Sequence, residues 1–97
     1  MSRTATPTLP RILVIDDSAL IRKAFTKVLS TGYAVTAAKD GLEALEILKK
    51  DRHFDVIITD LAMPRLDGFG VIKAIRGSRS EAHKALPIIV VTGQADS

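Results

Sequence analysis

The residues of this chain best suited to chemistry are carboxylates placed where apolar runs end. The stretch DVIITDLAMPRLDG, Asp55 to Gly68, carries an apolar and β-branched run, Val56 to Thr59, that delivers Asp60 into a loop bounded by proline and glycine. A second run, Ile12 to Ile15, ends in Asp16 and Asp17, and a third, Ile88 to Val91, ends in Thr92. An ionised carboxylate accepts hydrogen bonds and can attack an electrophile. Taken alone, each has a plainer explanation. A strand-end aspartate is more often a turn former or a cap, the pair Asp16 and Asp17 suits a helix N-terminus, and Thr92 is an ordinary β-branched strand-end residue. A site requires these groups to arrive together, with Asp60 as its centre.

The elements that would bring them together follow from the spacing of apolar residues. Short continuous apolar runs bounded by polar residues read as strands covered on both faces, as in a parallel sheet. After Asp17, Ser18 can cap a helix with Ile21, Phe25, Val28 and Leu29 on its buried face and Arg22, Lys23 and Lys27 outward, stopped by Gly32. Tyr33, Val35 and Ala37 alternate as the inward positions of a half-buried second strand. Asp40 with Glu43 forms a capping box for a second helix with Ala44, Leu45 and Leu48 inward, and its basic end, Lys49 and Lys50, suits the helix dipole. Asp67 or Gly68 opens a third helix, with Phe69, Ile72 and Ile75 inward, that closes near Gly77. Ser78 to Leu86 is a polar connection, and Pro87 leads into the fourth strand.

Strand and helix alternate, which predicts an α/β fold with a parallel sheet and right-handed crossovers. Ligand chemistry in such sheets collects outside the carboxyl ends of the strands. Asp16, Asp17, Asp60 and Thr92 share one rim if the first, third and fourth strands are neighbours.

Composition narrows the function. Ninety-seven residues, 46% apolar and 26% charged, suit one globular domain, with Met1 to Leu9 as a flexible Ser/Thr/Pro tail and residues 10–97 as the domain. The absence of cysteine excludes disulfide and thiolate chemistry and suits a reducing cytoplasm. No signal-peptide core or membrane-length apolar run is present, so a soluble, cytoplasmic protein without membrane contact is expected. The net charge of +3 comes from scattered basic residues, and 4% aromatics leave little to stack on bases, so direct nucleic-acid binding is not expected. His53 and His83 have no second ligand at metal spacing and read as exposed and functionally silent.

The segments IDDS at 15–18, TDLAMPRLDG at 59–68 and VVTGQ at 90–94 together resemble the receiver domain of two-component response regulators, of the chemotaxis-regulator type. The match runs from Pro10 to Ser97. The resemblance implies a flavodoxin-like doubly wound sheet of order 2-1-3-4-5 and a signalling switch in which Asp60 accepts a phosphoryl group from a sensor histidine kinase or phosphotransfer protein. It further implies Mg²⁺ (or Mn²⁺) ligated by Asp17, Asp60 and the backbone carbonyl of Ala62, with Asp16 acting through a water. Thr92 would hydrogen-bond the phosphoryl oxygens, and Gly93 would leave them room. Such a domain is a phosphoacceptor regulator rather than an enzyme, any phosphorylation or dephosphorylation being self-directed. The chemistry is consistent: an aspartate can attack phosphorus once the charge of the transferring group is neutralised, and Mg²⁺ prefers oxygen ligands and bridges carboxylate to phosphate.

Competing classes fare less well. A haloacid-dehalogenase-like phosphatase needs a second acid two residues after its nucleophile, where Asp16 has Ser18 and Asp60 has Ala62. The phosphate-binding G-x-x-x-x-G-K is absent. The alternative that stands is a degenerate receiver serving as a docking or dimerisation module without productive phosphorylation. The sequence departs from the family pattern after Thr92: the family's fourth helix, its fifth strand with a phosphate-pairing lysine, and its fifth helix fall outside the 97 residues. An incomplete receiver would expose the edge of its fourth strand, and self-association through that edge is expected.

Overall fold

The apolar runs become strands because their β-branched side chains pack well on a pleated surface covered by helices. The structure, a computed structural model, describes residues 9–51, 53–60, 67–78 and 84–91. In chain order these form β1 (Arg11–Ile15), α1 (Ala19–Leu29), β2 (Ala34–Ala38), α2 (Gly41–Lys50), β3 (Val56–Thr59), α3 (Gly68–Arg76) and β4 (Ile88–Val90). The strands pair in parallel in the order β2-β1-β3-β4. The adjacency that the sequence left conditional is therefore present, and the sheet matches the first four positions of the flavodoxin-like order. No helix among the described residues is long and apolar enough to cross a membrane.

Successive side chains of a strand point to opposite faces, so β1 and β3 each serve two cores. Leu13, Ile15 and Ile57 face α2 and α3, where Ala44, Leu48, Val71, Ile75 and Leu86 are buried against them. Ile12, Val14 and Ile58 face α1 and meet Phe25, Leu29 and Val35.

Each of α1, α2 and α3 starts at a side-chain cap. The oxygens of Ser18, Asp40 and Asp67 accept from the amides of Ile21, Glu43 and Gly70. Each cap satisfies an amide that the helix itself leaves without a partner. Glu43 closes the predicted capping box one residue early, its Oε1 accepting from the amide of Lys39 at 2.7 Å.

Several inward assignments need correction. Phe69 is 66% exposed and Val71 is buried in its place. With Asp67 as cap, Val71 and Ile75 lie one turn apart on the sheet-facing side, and Phe69, two residues or 200° from Val71, faces away. Val28 is 70% exposed and Ile21 40%, because the Phe25 and Leu29 stripe of α1 is what meets the sheet. Tyr33 lies just before β2 and is exposed, and within β2 Ala37 is exposed whereas Ala38 is buried, as suits an outer strand. Leu86, assigned to a polar connection, is part of the α2–α3 core.

The amino end of the sheet is held by a clamp that sequence reading passed over. Arg11 donates through both terminal nitrogens to Asp51, at 2.8 and 2.7 Å, and its guanidinium lies 4.5 Å over the Phe54 ring. The Arg11 amide donates to the Asp55 carboxylate at 2.7 Å, while the Asp55 amide donates back to the Arg11 carbonyl at 2.8 Å. The paired guanidinium, then the His53 amide, hold the Asp51 carboxyl well below the usual carboxylate range, at about 2.

Candidate functional site

Strand register explains why the acids meet. Ile15 lies opposite Thr59 across the β1–β3 pair, so the next residue of each strand, Asp16 and Asp60, leaves the sheet at the same level. Parallel neighbours are about 4.8 Å apart. The ladder holds this end in place: the Asp60 amide donates to the Ile15 carbonyl at 3.0 Å, and the Asp16 amide to the Ala38 carbonyl at 3.1 Å. Thr59 is fully buried, and its hydroxyl donates to the carbonyl of Asp60 at 3.0 Å.

The outcome is a cluster in which Asp16, Asp17 and Asp60 each offer a carboxylate oxygen, all within 4.8 Å of one another. Asp16 and Asp60 are half-buried and Asp17 is exposed, so the group is open to solvent on one side. Burial raises the Asp16 carboxyl above its ordinary value, and the charges of Asp60 and Asp17 push the same way. The Ser18 amide, bonded to Asp16 Oδ1 at 2.9 Å, and the Arg22 charge oppose that shift. Three carboxylates gathered in this way form an oxygen-rich, hard-donor set suited to Mg²⁺, which takes one or two protein carboxylates and keeps waters in its remaining positions.

Of the residues expected at the site, Asp16, Asp17 and Asp60 are brought together. Ala62, Thr92 and Gly93 lie outside the described residues, as does His83. The strand that leads to Thr92 is in place, with the Val91 amide donating to the Thr59 carbonyl at 2.9 Å beside Asp60. His53 is exposed on the opposite end of the sheet, its Nδ1 3.7 Å from Asp51.

One member of the surroundings differs from expectation. Arg22, assigned outward with Lys23 and Lys27, is half-buried and donates from Nη1 to the carbonyl oxygen of Asp16 at 2.7 Å. The signal was present in the spacing: helical side chains lean toward the helix N-terminus, and an arginine four residues after the cap Ser18 is long enough to reach back to the preceding turn.

A parallel sheet with three acids at the carboxyl ends of adjacent strands defines a flavodoxin-like α/β domain with an acidic site on its functional rim. The comparison with known proteins is more specific: residues 12–97 match the response regulator receiver domain, and the chain belongs to that family. The response regulator MprA of Mycobacterium tuberculosis is 42% identical over 85 residues, which cover 87% of this chain and 35% of the relative. The chain thus spans about a third of the length of the curated relatives it matches. Among solved structures, the chemotaxis response regulator CheY4 of Vibrio cholerae is 40% identical with a TM-score of 0.81, over 92% of this chain and 72% of that one. The response regulator protein TrrA of Thermotoga maritima, in complex with Mg(2+)-BeF, is 33% identical with a TM-score of 0.79, over 90% of this chain and 72% of that one.

Proposed function

We propose that this chain is the phosphorylation-dependent switch of a cytoplasmic two-component system, with Asp60 as phosphoacceptor and a sensor histidine kinase or phosphotransfer protein as donor. The observation that carries this reading is the convergence of the Asp16, Asp17 and Asp60 carboxylates within 4.8 Å at the carboxyl end of the sheet. A structural need for three like charges in one place is hard to find, since their crowding destabilises the fold.

Asp17 and Asp60, with the Ala62 carbonyl, would hold Mg²⁺ directly and Asp16 would hold it through water. When bound, the ion would neutralise the carboxylates and the incoming phosphoryl oxygens. The Asp60 carboxylate attacks phosphorus, and a carboxyl-oxygen–phosphorus bond forms as the nitrogen–phosphorus bond of the phosphohistidine breaks. The imidazole nitrogen keeps the bonding pair and leaves on a neutral ring whose other nitrogen carries the proton. Thr92 would then hydrogen-bond the phosphoryl oxygens. The change at Asp60 adds about one to two negative charges, which is the local event that biases a two-state surface. No turnover of an external substrate is involved. A second contact is proposed at β4, an edge strand among the described residues, where Ile89, Val90 and the following Val91 are exposed and could recruit another copy.

The test is incubation with a small phosphodonor and Mg²⁺, followed by intact mass. One phosphate should be added, labile to hydroxylamine, and Asp60→Asn should abolish it. Equal labelling of the Asn variant would sink the assignment. Failure of the wild type would favour the reading in which the domain only docks partners.

A further inference from the structure

The turn that carries two of the three acids is closed by a ring of hydrogen bonds. The Ser18 amide donates to Asp16 Oδ1 at 2.9 Å, and Ser18 Oγ accepts from the Ile21 amide at 3.2 Å. The Arg22 amide donates to the Ser18 carbonyl at 3.0 Å, and Arg22 Nη1 returns to the Asp16 carbonyl at 2.7 Å. The first turn of α1 is thereby tied back onto the end of β1.

The choice of acceptor matters. A guanidinium placed beside three carboxylates would be expected to bridge one of them in the two-toothed geometry it favours. Arg22 is instead engaged by a backbone oxygen at Nη1. A peptide unit is planar, so fixing the Asp16 carbonyl also fixes the Asp17 amide and the direction in which the chain enters Asp17. Asp17 is the exposed member of the cluster, so the backbone that leads into it is what sets where its carboxylate lies.

We propose that Arg22 is a positioning residue: by holding the Asp16–Asp17 peptide it keeps the Asp17 carboxylate on the rim with Asp16 and Asp60. This rests on the reading that the three acids hold a divalent cation. It makes a prediction opposite in sign to that of the arginine's charge. A positive charge near a cation site repels the cation, so if Arg22 acted through charge alone, its removal would tighten Mg²⁺ binding. If it acts by positioning, removal weakens it.

The experiment is a calorimetric Mg²⁺ titration of the full-length protein, wild type against Arg22→Met, which keeps an apolar stem without charge or donor, and Arg22→Gln, which is neutral but keeps an amide donor. Melting temperatures are recorded with Mg²⁺ and with chelator. Removing a group that orients a metal ligand typically costs ten- to a hundredfold in affinity, so Arg22→Met should bind Mg²⁺ about tenfold or more weakly, with Arg22→Gln between it and wild type. The melting increment that Mg²⁺ confers should shrink accordingly. Affinity equal to or tighter than wild type in Arg22→Met overturns the proposal, as does an equal loss of melting temperature with and without Mg²⁺. Should Arg22→Met fail to fold, Arg22→Gln decides on the same criterion, weaker binding supporting and equal or tighter binding refuting. A wild type that does not bind Mg²⁺ would overturn the cation reading and this one together; a binding wild type matched by Arg22→Met would overturn this one alone.

Discussion

At the amino end of the sheet Arg11 meets Asp51 at 2.7 Å and lies over Phe54, and opposite charges lock the connection after α2 to β1. At the carboxyl end, Asp16, Asp17 and Asp60 gather three like charges within 4.8 Å. The carboxyls respond in opposite directions: Asp51 is held at about 2, whereas Asp16 is raised, first by burial and then by its acidic neighbours. The amino end is arranged for stability. The carboxyl end gives some stability up, and such a concession is expected where a site must take a cation or change its charge.

The largest effect that separates the two ends is metal-dependent stabilisation. A ligand that binds only the folded state stabilises it by about 2.7 kcal/mol at a hundred times its dissociation constant, so Mg²⁺ well above its dissociation constant should raise the melting temperature by several degrees. Asp17→Ala should lose most of that increment, while Asp51→Asn should be less stable at neutral pH but keep the increment in full. If both variants respond to Mg²⁺ alike, the ends do not differ as described.

A smaller effect concerns charge without metal. Asp16→Asn keeps an oxygen to accept from Ser18 and removes one of three like charges. With chelator at neutral pH it should be more stable than wild type, by about half a kcal/mol, the scale of a solvent-screened charge contact. Asp51→Asn, which breaks an attraction, should melt lower. Chemical denaturation of the two variants side by side would show the opposite signs.

The pH dependence should be finer still. The unfolded carboxyl titrates at about 3.9. Asp51, lowered in the fold, contributes stability that is present above about pH 4 and lost as the pH falls toward about 2. Asp16, raised in the fold, binds its proton more readily when folded, so its contribution is present below about pH 4 and is lost as the pH rises through its raised value. Acid unfolding of Asp51→Asn should therefore be shallower between about pH 4 and 2. In Asp16→Asn, the wild-type decline in stability as pH rises above about 4 should be reduced. Both are measured in chelator.

Much of this arrangement was legible in the sequence, and the limits were physical. Runs such as Ile12 to Ile15 and Val56 to Thr59 are too short and too continuously apolar to be anything but covered strands, and the caps Ser18, Asp40 and Asp67 announced their helices. The rim of Asp16, Asp17 and Asp60 followed once β1 and β3 were neighbours. Helix faces were less secure. Hydrophobicity alone favoured Phe69 over Val71, but the cap at Asp67 sets the rotation of α3 and turns the phenyl ring outward. Arg11 was hidden because it reaches forty residues along the chain to Asp51, and Arg22 was passed over because its spacing from Ser18, rather than its charge, carries the signal that it reaches back to a backbone oxygen. Charge patterning along one helix does not reveal either.

The measurement that bears most directly on the central claim is the location of the phosphate. Wild type and Asp51→Asn would each be incubated with a small phosphodonor, with Mg²⁺ or with chelator, and the modified peptide sequenced by mass spectrometry. The account predicts a single phosphate on Asp60, present only with Mg²⁺ and equal in the two proteins. Phosphate on another residue, or on Asp60 regardless of metal, would contradict it.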